Sequence, residues 1–170
     1  MAKKTVTGTD TQKASGEVLV PLYRLQVVKE PHAPLYGASK IRESGDVFRL
    51  LQSHFDGKPH EEFVAVFLDS KNNVVGYQVV SIGSLNLSIV HPREAFKAAA
   101  CMNAARVLFA HNHPSGDPTP SQEDRVLTDR LVRAGDILGI HVLDHIVIGD
   151  ERYVSFADSG WLNAHETVAS

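Results

Sequence analysis

The stretch His111-Asn112-His113-Pro114-Ser115-Gly116-Asp117-Pro118-Thr119-Pro120-Ser121-Gln122-Glu123-Asp124 constrains this chain more than any other. An apolar, β-prone run, Val107 to Ala110, leads into it, and a segment with helical spacing leads out of it. Pro114, Gly116, Pro118 and Pro120 forbid a continuous helix or strand between the two and force a tight loop. Alternate residues of an extended segment point to one side, so His111 and His113 converge while Asn112 faces away. Asp124 returns to the same place from the first turn of the following helix. Two imidazole nitrogens and one carboxylate oxygen make three protein ligands for one tetrahedral Zn2+, with the fourth position open to water, the pattern of a catalytic site and not of a structural staple.

Around this loop the chain reads as an α/β (α+β) domain with a mixed β-sheet flanked by helices. Helical spacing of Val47, Phe48, Leu50 and Leu51 predicts a short helix over 44–55, with Asp46 serving its start. Phe63 to Leu68 is a nearly continuous apolar run, the mark of a central strand buried on both faces, and Lys71-Asn72-Asn73 turns it into a second strand, Val74 to Ile82. His91-Pro92-Arg93-Glu94 sets proline at a first helical position, with the helix over 95–103 and its alanines packing on the sheet. Ser121 to Leu138 predicts a long helix with Val126, Leu127, Leu131, Val132 and Leu138 as its apolar stripe, ended by Gly139. Ile140 to Ile148 and Tyr153 to Phe156 are two final strands joined at Gly149-Asp150. A further strand is expected from Val18 to Val28, edge-like or bulged because of Pro21. The Lys-, Thr- and Ser-rich residues 1–16 read as a flexible tail, residues 17–160 as one domain, and residues 161–170 as a second tail.

Charge and composition narrow the function classes. The 170 residues carry a formal net charge of -3 with scattered cations, which gives no basic stripe for nonspecific nucleic-acid binding. Cys101 stands alone, which excludes an internal disulfide and a cysteine-based zinc cluster. With no apolar run approaching the ~20 residues of a membrane span and no hydrophobic leader, a cytoplasmic protein is expected.

Each candidate side chain also has an ordinary account. Ser121-x-x-Asp124 is a helix-capping pattern as well as part of a site. Asp144 and His145 lie in an apolar strand, where a buried pair is a structural hydrogen bond first and a support for a zinc histidine second. His91 reads as a helix-start residue and Cys101 as a small packed side chain. His54 and His60, beside Gly57 and Pro59, read as solvent-facing, as do Arg125, Arg130 and Arg133 on the long helix.

The order and spacing of His111, His113, Ser121 and Asp124 resemble the JAMM motif, also called JAB or MPN-plus, of zinc metalloproteases. Glu61-Glu62-Phe63 before Leu68-Asp69, Val80-Ser81-Ile82-Gly83, His91-Pro92-Arg93-Glu94, the His111 to Asp124 loop and Leu143-Asp144-His145-Ile146-Val147-Ile148-Gly149 together look like the RadC branch, over about residues 44–160. Asn112 stands where the JAMM pattern has serine, as is usual in that branch, and residues 1–50 do not look like the helix-hairpin-helix region of longer RadC proteins, so the chain resembles the short form. The resemblance implies a JAB/MPN fold of cytidine-deaminase-like architecture and one Zn2+ held by His111, His113 and Asp124. It also implies a general base at Glu61 and an oxyanion donor at Ser121. Glu62, next along an extended segment, points to the opposite face. The implied activity is hydrolysis of a peptide or isopeptide bond in a peptide or protein substrate. Two other classes stand beside it: a DNA-repair or mobile-element-associated factor acting near nucleic acid, and a non-catalytic interaction module stabilised by zinc.

Overall fold

The structure, a computed structural model, describes residues 20–23, 28, 39–83 and 90–162. Helix α1 (Ser44–Phe55) is followed by strands β1 (Glu62–Leu68) and β2 (Val74–Ile82), helix α2 (Pro92–Cys101), strand β3 (Arg106–Asn112), helix α3 (Gln122–Leu138) and strands β4 (His141–Ile148) and β5 (Tyr153–Ser155). The five strands form one mixed sheet in the order β2-β1-β3-β4-β5. Only β3 and β4 run parallel, because α3 carries the chain across the sheet between them; the other neighbours are antiparallel.

Apart from the strand expected over 18–28, the expected elements appear with their ends shifted by one to three residues. Every residue of β1 is buried, as its unbroken apolar run demands of a strand between two neighbours and two helical layers. His91 caps α2, its ring accepting from Arg93 N, and Gly139 closes α3 at φ 67. Three expectations fail. The buried stripe of α3 is Asp124, Leu127, Thr128, Leu131, Val132 and Gly135, whereas Val126 and Leu138 are 45% and 52% exposed. Cys101 is exposed at the last position of α2, and its neighbour Ala100 is exposed with it, because the buried face of the helix is Ala95, Phe96 and Ala99, with Ala98 partly covered beside them. His54, expected in solvent, lies on α1 against Glu62; His60 is exposed. Of the strand expected from Val18 to Val28, residues 20–23 and 28 are exposed and outside any strand, and the remainder lies outside the described residues, as do residues 1–16 and 163–170.

Side-chain alternation divides the core in two. Phe63, Ala65, Phe67, Val107 and Phe109 face α2 and α3, meeting Phe96, Leu127 and Leu131. Val64, Val66, Leu68, Leu108 and Ala110 face α1, meeting Val47, Leu51 and Phe55. In β4 the register against β3 shifts between Val107 and Leu108, where the partners jump from Val142 to Asp144. The shift reverses the alternation, so His145 opposes Phe109 and faces α3, the side that Val142 also faces. Leu162 and Trp161 pack back on this layer, Trp161 with its ring 5.5 Å from Phe156.

Candidate metal centre

The site forms where β3 ends. Residue His111 is opposite Phe63 in the β1–β3 ladder and faces α3, fully buried. One residue on, Asn112 points to the α1 side, and His113 returns. The chain then turns back on itself: His113 N donates to Ile148 O at 2.8 Å and Gly116 N to His113 O at 2.9 Å. Gly116, at φ 82, brings its carbonyl against the β4–β5 turn, where a Cβ on Gly149 would sit 2.2 Å from that oxygen. The loop is thereby held against the sheet, and α3 starts beside it.

Asp124 occupies the third position of α3 and is 3% exposed. Ser121 N and Oγ both donate to Asp124 Oδ2, at 2.7 and 2.6 Å, while Asp124 N donates to Ser121 Oγ at 3.1 Å. This capping box satisfies free amides of the helix and fixes the carboxylate with Oδ1 toward the histidines. Oδ1 lies 3.3 Å from His111 Nε2, and the two histidine Nε2 atoms are 3.1 Å apart. A ligand atom from each of His111, His113 and Asp124 lies within 4.8 Å of the others, a group that could hold a metal ion.

The donor chemistry fits a cation. His113 Nδ1 is 2.7 Å from the Asp117 carbonyl, which can only accept, so the ring's hydrogen is there. A neutral His113 therefore turns a bare Nε2 lone pair toward His111 and the Asp124 carboxylate. Electron-rich atoms this close repel unless a positive charge lies among them, and two nitrogens at ~2.1 Å from one tetrahedral ion would be about as far apart as these are.

Electrostatics agree. Burial pushes the Asp124 carboxyl up, but the adjacent His111 and His113 rings, with the Ser121 hydrogen bonds, outweigh it and hold the group far below the usual carboxylate range. Burial keeps the His111 imidazole below the ordinary histidine value despite Asp124, whereas in the less buried His113 the nearby Asp124 carboxylate wins and raises it. The charge of Glu61 adds, as the smallest of the causes, to the proton affinity of both rings.

Glu61 is the half-buried residue just before β1. Two hydrogen bonds from one side chain hold it: Asn112 Oδ1 accepts from Glu62 N at 2.7 Å and Asn112 Nδ2 donates to His60 O at 3.1 Å, so the amide spans Glu61. The amide thus continues the β1–β3 pairing beyond the last backbone partners, Phe63 and His111. Alternation sends the Glu62 side chain to the α1 face, where His54 Nε2 and Lys58 Nζ are each 2.9 Å away. Beside His113, a cavity of about 760 Å³ opens between Gln52, Phe55 and Lys58 on one wall and Gly149 and Glu151 on the other.

Asp144 and His145 have separate roles. Asp144 accepts from His145 N, Ala157 N and Ser155 Oγ at 2.7, 2.9 and 2.6 Å and ties β4 to β5; burial raises its carboxyl, against those hydrogen bonds. His145 Nε2 lies 2.8 Å from His111 Nδ1, and Thr128 Oγ1 is 2.5 Å from His145 Nδ1. Thr128, which the sequence reading passed over, falls one helical turn after Asp124; that spacing was the only available signal.

A family model described as RadC-like JAB domain matches residues 41–161, all five strands and the three helices among them. The chain belongs to the RadC-like JAB domain family. Its relatives include a UPF0758 protein of Methanococcoides burtonii, 52% identical over 73% of this chain and 54% of that protein. Others are UPF0758 proteins of Caldanaerobacter subterraneus, 53% identical over 68% of this chain and 50% of that protein, and of Bacillus cereus, 50% identical over 71% and 53%. This RadC-like JAB chain spans about half the length of those relatives. Among its described residues, no helix is long and apolar enough to cross a membrane.

Proposed function

We propose that this JAB domain is a zinc-dependent hydrolase that cleaves a peptide or isopeptide bond. The observation that carries the reading is the convergence of His111, His113 and Asp124 into one group that could hold a metal ion. Mixed imidazole and carboxylate donors suit Zn2+, and three protein ligands leave one position for reactants. When bound, the ion would supply Lewis acidity, polarising the scissile carbonyl and lowering the pKa of a water. Glu61 would act as general base and acid, taking a proton from the attacking water as the water oxygen bonds to the carbonyl carbon and delivering it to the amine nitrogen as the C–N bond breaks. The Asn112 clamp keeps the Glu61 backbone from drifting along β3. Ser121, exposed at the start of α3, donates to the developing oxyanion once its hydroxyl turns from Asp124 Oδ2, with the helix N-terminus adding a favourable field.

The test is Glu61→Gln, screened against peptide and isopeptide substrates alongside the wild type with metal content measured. Zinc is expected to stay at one per chain while turnover falls by about 10²–10⁴-fold. Wild-type turnover in the variant, or no stoichiometric zinc in the parent protein, overturns the reading.

A further inference from the structure

We propose that Thr128 and His145 form a buried hydrogen-bond relay that sets the hydrogen of His111 on Nδ1 and so leaves its Nε2 bare for a metal ion. The proposal rests on the metal-centre reading above and makes both residues positioning residues for it.

The direction of the relay follows from counting hydrogens. Thr128 Oγ1 is 2.6 Å from the Asp124 carbonyl oxygen and 2.5 Å from His145 Nδ1. A carbonyl oxygen has no hydrogen, so the first contact is attractive only if the single hydroxyl hydrogen of Thr128 lies in it. The second must then be filled by a hydrogen on His145 Nδ1. His145 is fully buried, stacked on Phe156 at 5.0 Å and edge-on to Phe63 at 5.3 Å, an apolar setting that favours the singly protonated ring. Its Nε2 is consequently an acceptor, and the 2.8 Å contact to His111 Nδ1 takes its hydrogen from His111. The His111 Nε2 that faces His113 and Asp124 is then a lone pair. Reversing the polarity would put a hydrogen on that nitrogen, where a metal has to bind, and would leave two oxygens of Thr128 and Asp124 in contact without one.

The fold builds both ends of the relay into one helix. Asp124 offers its carboxylate to the site and its carbonyl to Thr128, one turn later on the buried face of α3. The register shift in β4 then turns His145 under His111. His113 obtains the same tautomer by a shorter route, from the Asp117 carbonyl. Both histidines are thereby prepared before any ion arrives.

The relay is tested by titrating the purified chain with zinc in competition with a chromophoric chelator at pH 7.5, and by ring-nitrogen NMR of the metal-free protein. Thr128→Val, which keeps the shape and loses the hydroxyl, is expected to bind zinc about 10–100-fold more weakly, and Thr128→Ser to bind as the parent does. The NMR is expected to show the hydrogen on Nδ1 of both His111 and His145 in the parent protein, a readout that does not depend on any variant folding. Unchanged affinity in a folded Thr128→Val, or a parent His111 with its hydrogen on Nε2, overturns the relay alone. A parent chain that takes up no zinc overturns the relay together with the metal centre.

Discussion

At Gly149 the position of the whole metal loop depends on one missing methyl group. The Gly116 carbonyl approaches so closely that a Cβ at Gly149 would lie 2.2 Å from it, with Pro118 also in contact at 3.0 Å. Neither neighbour is the tip of a flexible side chain, so the loop itself must shift. Gly149→Ala is expected to destabilise the domain by about 2–3 kcal/mol, read from the denaturant midpoint, and to weaken zinc binding, because His113 is fixed through Ile148 O next door. Asn112 shows how side-chain identity exceeds what spacing reveals. Alternation alone turns it away from the histidines, but its amide bonds to His60 O and Glu62 N, which brace Glu61, join residues about fifty positions apart and are invisible without the sheet register.

Among the elements, α3 does most to assemble the site, and its start was legible because the cap and the ligand are one motif. Ser121-x-x-Asp124 was readable as either a capping box or a metal-site fragment; in the structure the box is formed, and it aims the carboxylate. Ser121→Ala is expected to cost about 1 kcal/mol, seen as a fall in Tm of roughly 2–4 °C for a domain of this size. An unchanged Tm would mean that Asp124 keeps its rotamer without the hydroxyl. The apolar stripe was less legible: Val126 and Leu138 satisfy the period but lie outside the arc that meets β1 and β3, and Thr128 holds the buried place. Periodicity reports a face, whereas the width of that face depends on what packs against it.

Across the molecule, the buried histidines couple folding to pH. His111 and His145 are held below the ordinary histidine value, His145 far below, both chiefly by burial, while His113 is raised by Asp124. Unfolded rings take up a proton near pH 6.5. A depressed ring stays neutral in the native state there, so the unfolded chain binds more protons and stability falls on acidification; the raised ring acts in the opposite sense. The raised ring does so only above pH 6.5, since below it that ring is protonated in both states; the two depressed rings therefore set the slope there, and the metal-free domain is expected to lose stability as the pH falls below 6.5, before the carboxylates titrate. Melting temperatures at pH 7.5 and 5.0 in the presence of chelator check it, and equal values would refute it. The order of elements, the central burial of β1, the strand-to-helix loop and the convergence of His111, His113 and Asp124 were written in local patterns, since burial period, proline and capping chemistry act over a few residues, whereas Glu61 was indicated only by the family resemblance. The pairing of His145 with His111, the turn of His54 toward Glu62 and the approach of Gly149 to Gly116 were settled by register and layer packing, because those contacts join segments whose mutual placement no short window encodes.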